Sequence, residues 1–216
     1  MSDQPRLVLA SASPARLRTL RMAGVEPEVV VSGVDESSVE SSDPRELCAT
    51  LARLKAVAVA GQIKREAPPA GADGRPTFVL GCDSVLEFAG EVLGKPADGT
   101  DAVRRWQRMR GSSGVLHTGH CLIDAATDAR AEAIASTIVH FGEISDEEIA
   151  AYVGTGEPLH VAGAFTIDGL GGWFVERIEG DAGTVIGLSL PLLRRLLADL
   201  GTSAPSLWPA TLGSPG

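Results

Sequence analysis

The sequence predicts an α/β protein in which short buried strands alternate with helices. Three observations point there. Apolar runs such as Leu7-Val8-Leu9-Ala10 and Phe78-Val79-Leu80 break off at small or polar residues, the pattern of buried strands. Helix starts are marked by a capping side chain followed by proline, at Ser13-Pro14 and Asp43-Pro44. Hydrophobic residues make up 44% of the 216 positions, enough to bury a sizeable core and too many for a chain disordered throughout.

The elements follow in order. After the first strand, Ser13 caps a short helix from Arg16 to Ala23 that Gly24 closes. A second strand is expected near Glu28 to Val31, followed by a polar loop bearing Asp35 and Glu36. Asp43 or Ser42 caps a long helix that starts at Pro44, presents the stripe Leu47, Leu51, Leu54 and Ala58, and stops at Gly61. The latter part of "QIKREAPPAGADGRPT" reads as a flexible loop. A buried strand over Phe78 to Cys82 comes next, then a hairpin turning at Ala89-Gly90 and a short loop at Gly94-Lys95-Pro96. "TDAVRRWQRMRG" is a helix stopping at Gly111, and "VLHTGHCLIDA" and "EAIASTIVHFGEI" are two long strands. Ser145 and Glu148 form a capping box before a short helix. "LHVAGAFTIDGLGGWFVERIEGD" is a glycine-punctuated strand and loop segment, and "SLPLLRRLLADLG" is the last helix. The expectation is one domain over residues 1–201 and a frayed tail over 202–216.

Charge and cysteine usage narrow the function. A formal net charge of -9 argues against a broad nucleic-acid-binding surface, though not against a small basic pocket. Three cysteines, Cys48, Cys82 and Cys121, without CxxC spacing fit neither a disulfide framework nor a structural zinc site. A cytoplasmic setting is the simplest expectation. No signal peptide and no membrane span are read from the chain.

Familiar phosphate motifs are absent: neither GxxxxGK[ST] nor an intact GxGxxG after a strand occurs. His117 and His120 suggest a metal pair, but their odd spacing in a strand sends them to opposite faces. Other positions carry more. Ser11, Ser13 and Arg16 surround a helix N-terminus, where unpaired N–H groups and a guanidinium suit an anion; the same residues also read as an ordinary capped helix with a solvated arginine. Lys55 stands beside an apolar stripe, with Cys48, Leu51, Ala58 and Val59 on its face, and must either snorkel or meet an anion. Asp83 follows a buried strand at its carboxyl end, where ligands of α/β sheets gather; it reads as a metal ligand, a base or a turn residue. Lys95 is a cation on a stiff loop.

Six segments in fixed order, "LASASPAR", "LARLKA", "GCDSV", "GEVLGKP", "HTGHCL" and "AGAFTIDGLGG", closely resemble the Maf family of nucleotide pyrophosphatases over about Arg6 to Leu200. The resemblance implies an elongated α/β fold of two lobes around a mixed β-sheet flanked by helices, like that of the inosine triphosphatase family. It implies hydrolysis of a nucleoside triphosphate to the monophosphate and pyrophosphate with a divalent metal cation, Mg²⁺ or Mn²⁺. By the same resemblance, Ser11, Ser13 and Arg16 form the phosphate-binding turn and Glu36 is the acidic position after the second strand. Lys55 and Lys95 are the pocket lysines, and Asp83 is the proton acceptor. Glu36 and Asp83 are the expected metal ligands. A homodimer is a family-level expectation.

Three departures bear on base choice. Ala15 stands where the family motif often has a first arginine, Ser84 where threonine often follows the aspartate, and Asp168 where glutamine is common. All three differ from the branch that prefers dTTP and UTP. "PLHVAGAF" and "GLSLPLLRRLL" look closer to the branch acting on 7-methyl-GTP, which carries glutamine after the aspartate. The alternative function is a non-catalytic nucleotide-binding regulator of cell division using the same pocket. The aspartate argues against it, because binding alone does not require Asp83.

Overall fold

The computed structural model describes residues 4–39, 41–66 and 75–209. Strands β1 (Arg6–Leu9), β2 (Glu28–Val29), β3 (Thr77–Phe88), β4 (Glu91–Leu93), β5 (Ser113–Asp124), β6 (Arg130–Phe141) and β7 (Val175–Glu179) form one mixed sheet. Helices α1 (Pro14–Met22), α2 (Pro44–Glu66), α3 (Gly99–Met109), α4 (Asp146–Gly154), α5 (Ala182–Ile186) and α6 (Leu190–Asp199) flank it. The order is β2-β1-β3-β5-β6-β7, with β4 added to β3. β1 runs parallel to β2 and β3; the remaining pairs are antiparallel. No helix of the described residues is long and apolar enough to cross a membrane.

Three strands of 12 residues each, β3, β5 and β6, run for about 40 Å and join two cores. At one end Phe78, Leu80, Cys82 and Leu122 pack under α1 and α6 with Leu20, Leu193 and Leu197. At the other end Leu86, Phe88, Leu116 and Phe141 pack with Trp106 of α3 and Tyr152 of α4. Trp106 is fully buried, meets Phe141 edge-on at 5.6 Å, and its indole N–H donates to the Ala164 carbonyl at 2.8 Å. On the other face of the sheet, α2 covers Val79, Cys121 and Ile123.

Contact between α2 and the sheet corrects the expected helix. It presents Cys48, Leu51, Ala52, Lys55, Ala56, Val59 and Ala60 inward, while Leu54 is exposed. The small residues are there because the helix backbone sits directly on the strands. A Cβ on Gly81 would lie 2.2 Å from the Ala52 carbonyl oxygen, and one on Gly119 would lie 2.3 Å from that of Cys48. A leucine stripe does not fit in that space. Nor does Gly61 end the helix, which continues to Glu66 because Ile63 still packs on the core beneath. The loop expected after it falls mostly on residues 67–74, outside the described residues.

Local signals hold better. Ser13 caps α1, the Ser145–Glu148 box caps α4, and Ala89 and Gly90 turn the β3–β4 hairpin with φ of 50° and 77°. The second strand is shorter than expected, Glu28–Val29. The glycine-rich segment is mostly 3-10 turns before β7, and α5 was not anticipated. Nor is the chain frayed from Thr202 throughout. Ala204–Leu207 form a 3-10 turn, and Leu207 is buried in the first core. Residues 210–216 lie outside the described residues.

His120 ties α6 to the sheet. Its Nε2 accepts the Ser189 backbone N–H at 2.9 Å, so Nδ1 carries the proton and donates to the Thr118 carbonyl at 3.0 Å. Burial, above all, pushes its pKa down to about 4. An unfolded histidine takes up a proton below about pH 6.5, whereas this one stays neutral until about pH 4. Its contribution is therefore lost as the pH falls through that window, amounting to about 3 kcal/mol. Denaturant unfolding at a series of pH values should show that much extra acid loss in the wild type relative to His120→Gln. Parallel pH curves for the two proteins would remove His120 from the account.

Candidate active site

The site lies between the two cores, where the sheet has a notch. β1 pairs β3 up to Leu80, and β4 pairs it again only from Leu86. Over residues 81–85 the described strands pair β3 on the β5 side alone. A cleft of about 870 Å³ opens there, the size of small-molecule sites. Every candidate position lines it: Ser11, Ser13, Ala15, Arg16, Glu36, Lys55, Asp83, Ser84, Lys95 and Asp168. Asp83 is therefore in mid-strand, opposite Gly119, and not at a strand end as the sequence suggested. It does lie just beyond the carboxyl end of the parallel β1–β3 segment.

Successive residues of a strand face opposite ways, and this splits the site in two. Asp83 faces α2. The Lys55 ammonium is 2.6 Å from Asp83 Oδ1 and 2.6 Å from Glu36 Oε1. Lys55 and Asp83 are both buried, while Glu36, on the 3-10 turn Glu36–Ser38, is half-exposed. Burial raises the Asp83 carboxyl above its ordinary range, and the charges of Lys55 and Arg16 only partly offset it. Burial also opposes ionisation of Glu36, but the hydrogen bond and charge of Lys55, with Lys95 and Arg16 behind it, hold Glu36 below its usual value. The two carboxylates thus have separate tendencies: one is poised to take a proton, the other to stay charged. They converge on one cation. Two oxygen ligands on such a point suit a hard divalent ion whose remaining ligands are phosphate oxygens and water. Among the described residues no group of three or more His, Cys, Asp or Glu side chains could hold a metal alone.

Ser84 faces the other way, toward α1. Arg16 is buried and fixed by three bonds: Nε donates to the Gly187 carbonyl at 2.8 Å, Nη1 to Ser11 Oγ at 3.2 Å and Nη2 to Ser84 Oγ at 3.1 Å. Thr118 Oγ1 gives its proton to the Thr184 carbonyl, so Ser84 must donate to Thr118 across 2.8 Å. A directed chain results, Arg16 to Ser84 to Thr118 to Thr184, which locks the guanidinium against α5. Gly187 has φ 113°, and a Cβ there would come within 3.1 Å of Arg16 Nε, so glycine serves both the turn and the close approach. The Arg16 guanidinium is therefore held by the protein rather than solvated. Ser84 has its hydroxyl committed to that bracing.

The remaining walls are held just as firmly. Ser13 Oγ caps α1 by accepting the Arg16 N–H at 3.4 Å, and Ser11 Oγ accepts the Ser13 N–H at 3.1 Å. Lys95 is exposed at the rim, and its loop is anchored through the Gly94 carbonyl, which accepts from Arg105 at 2.7 Å and from the Gly163 N–H at 3.1 Å. Asp168 accepts from Arg18 at 2.9 Å. Its loop is held by Glu157, which accepts from the Leu170 and Gly171 N–H groups and from the Thr166 and Tyr152 hydroxyls. Thr118, Arg18 and Glu157 escaped sequence reasoning, because only strand register and loop closure bring them here.

Two candidate chemistries fall away. His117 bonds Ser136 and Glu87 on one face, and His120 bonds Thr118 and Ser189 on the other, so they share no ligand. All three cysteines are free and buried, and burial pushes the thiols up to about 12, 11 and 12 at Cys48, Cys82 and Cys121. None is a nucleophile at neutral pH.

A model of the Maf-like protein family matches residues 6–200. The chain belongs to the Maf family. The Maf match covers every strand of the sheet and the whole notch. Among curated relatives, a protein of Salinispora tropica named nucleoside triphosphate pyrophosphatase is 66% identical over 203 residues, which is 94% of this chain and 87% of that one. A Streptomyces coelicolor protein of the same name is 58% identical over 210 residues, covering 96% of this chain and 98% of its own. One from a Cyanothece species, also so named, is 52% identical over 203 residues, 94% of this chain and 99% of its own. The mixed seven-stranded sheet flanked by helices is consistent with the Maf fold.

Proposed function

We propose that this chain is a nucleoside triphosphate pyrophosphatase that releases the monophosphate and pyrophosphate. The observation that carries the reading is the notch, where two carboxylates, two lysines and a braced arginine line one nucleotide-sized cleft of a Maf-family fold. Glu36 and Asp83 hold a divalent cation, which when bound offsets phosphate charge and polarises the reacting phosphoryl group. Asp83 accepts the proton of the attacking water. Lys55, Lys95 and Arg16, with the N–H groups at the Ser11–Ser13 turn, bind the polyphosphate. The free buried thiols fit a reducing, cytoplasmic setting. Pyrophosphate release from a panel of nucleoside triphosphates, with and without Mg²⁺ or Mn²⁺, tests the reading. Binding without release of pyrophosphate from any of them would favour a sensor instead.

Arg16→Ala removes one charge-assisted phosphate contact and leaves Gly187, Ser11 and Ser84 without their donor. The loss should be about 1.5–3 kcal/mol, or ~10- to 150-fold in kcat/KM on the best substrate. Lysine should not restore it, because a point charge cannot reach three acceptors at once. An unchanged kcat/KM in Arg16→Ala ends the assignment.

Base choice is read by Asp168, by the space over Ala15 and by the surroundings of Ser84. An ionised carboxylate accepts hydrogen bonds and donates none, so Asp168 favours a base edge presenting N–H groups, as guanine does, over uracil. Asp168→Gln should shift the guanine-to-uracil rate ratio toward the pyrimidine. If that ratio stays put, Asp168 is not part of the base pocket.

A further inference from the structure

The Lys55 ammonium occupies the very point at which two carboxylates meet, 2.6 Å from each. We infer that Lys55 is a built-in counter-ion that keeps the Glu36–Asp83 site from taking a bare divalent cation, so that metal and triphosphate enter together rather than metal first. This rests on the reading above, that Glu36 and Asp83 are the metal's carboxylates.

Four features of the site support it. Asp83 is buried beneath α2, and a desolvated carboxylate needs a cation beside it whether or not a ligand is bound. Lys55 supplies that cation from a fixed base. Its helix is seated on Gly81 and Gly119 so closely that a single added methyl group would collide with helix backbone. The ammonium bonds both carboxylates, so a divalent ion arriving alone would have to compete with a like charge for their oxygens. Finally, Lys95 and Arg16 add positive potential around Glu36, which favours an anion over a free cation as the first arrival. A triphosphate alters each of these terms. It offers the ammonium another anionic partner, frees the carboxylate oxygens and brings its own bound metal to them.

The test measures metal binding, not turnover. Free Mn²⁺ is followed by its electron paramagnetic resonance signal against the full chain without nucleotide. Wild type should bind weakly, and Lys55→Met at least tenfold more tightly. Lys55→Arg, which keeps the charge, should stay near wild type. Wild type supplies a second arm that needs no variant. Mg²⁺ alone at millimolar concentration should leave its melting temperature unchanged, while Mg²⁺ with pyrophosphate should raise it. Tight Mn²⁺ binding by wild type, a stabilising effect of Mg²⁺ alone, or no gain in Lys55→Met would each overturn the inference. The double variants Lys55→Met/Glu36→Gln and Lys55→Met/Asp83→Asn separate the two claims. If the tighter binding disappears in them, the ion sits on these carboxylates. If it persists, the ion sits elsewhere and the metal assignment itself fails. A lost gain in Lys55→Met alongside metal-dependent hydrolysis by wild type would reject the counter-ion role alone.

Discussion

Asp83→Asn should lower kcat by at least about 10²–10⁴-fold while substrate affinity changes far less. The side chain keeps its shape but loses the ability to take a proton, and removal of a general base alone is worth about that factor. The position makes the loss specific. Asp83 is in mid-strand opposite Gly119, is held by Lys55 at 2.6 Å, and burial raises its proton affinity above that of an ordinary aspartate. Hydrolysis in ¹⁸O-water examines the same step from the product side. Attack at the α-phosphorus puts the label in the monophosphate and makes pyrophosphate the leaving group. Label in the pyrophosphate, or orthophosphate as first product, would place the attack elsewhere and remove Asp83 from its role. A normal kcat in the asparagine variant would do the same.

Gly81→Ala should cost about 3 kcal/mol or more, the upper range for overpacking, and lower the melting temperature by about 6–12 °C for a chain of this length. The added methyl group would sit 2.2 Å from the Ala52 carbonyl oxygen and 2.8 Å from the Ala56 nitrogen. Both are helix backbone, so rotation of a side chain cannot relieve the clash. Because α2 carries Lys55 onto Asp83, activity should fall with stability. Gly61→Ala on the same helix is the control with the opposite sign. Its methyl group would meet only the flexible end of Arg65 at 3.5 Å, and alanine in a helix interior gains up to about 1 kcal/mol. Thermal melts of the two variants decide the matter. A Gly81→Ala protein as stable as wild type would mean that α2 is not seated on the strand as described.

These contrasts show which features a chain states locally and which it does not. The Ser13 cap, the Ser145–Glu148 box and the Ala89-Gly90 turn were legible because each is settled within about four residues. The inward face of α2 was not. Hydrophobicity favoured Leu54, but the close approach of Gly81 and Gly119 selects alanine, cysteine and lysine instead. An aspartate and a serine after Cys82 read as a strand's end, whereas beside the notch in the sheet both stay in the β3–β5 ladder. For the site, Lys55, Asp83 and Lys95 each stand out alone, whereas Glu36 follows only from the family resemblance. The common meeting point of Lys55, Asp83 and Glu36 came from resemblance to a family and not from spacing, since Glu36 and Asp83 stand on separate elements. Thr118 and Arg18 gave no sign at all, because a strand threonine and a surface arginine are ordinary until register and loop closure give them partners.

Asp83 and Ser84 are neighbours in the chain, yet their hydrogen-bond networks share no member. One joins Lys55 and Glu36, the other Arg16, Thr118 and Gly187. A sheet one residue thick stands between them. The arrangement gives the lineage room to diverge. On the proposed reading, substitutions around Ser84 and Asp168 would change which nucleotide is accepted without touching the Asp83–Lys55–Glu36 cluster. Conversely, on the same reading, the lesions that silence such a protein should gather at Asp83, Lys55 and Glu36 on one face and at the braced Arg16 on the other.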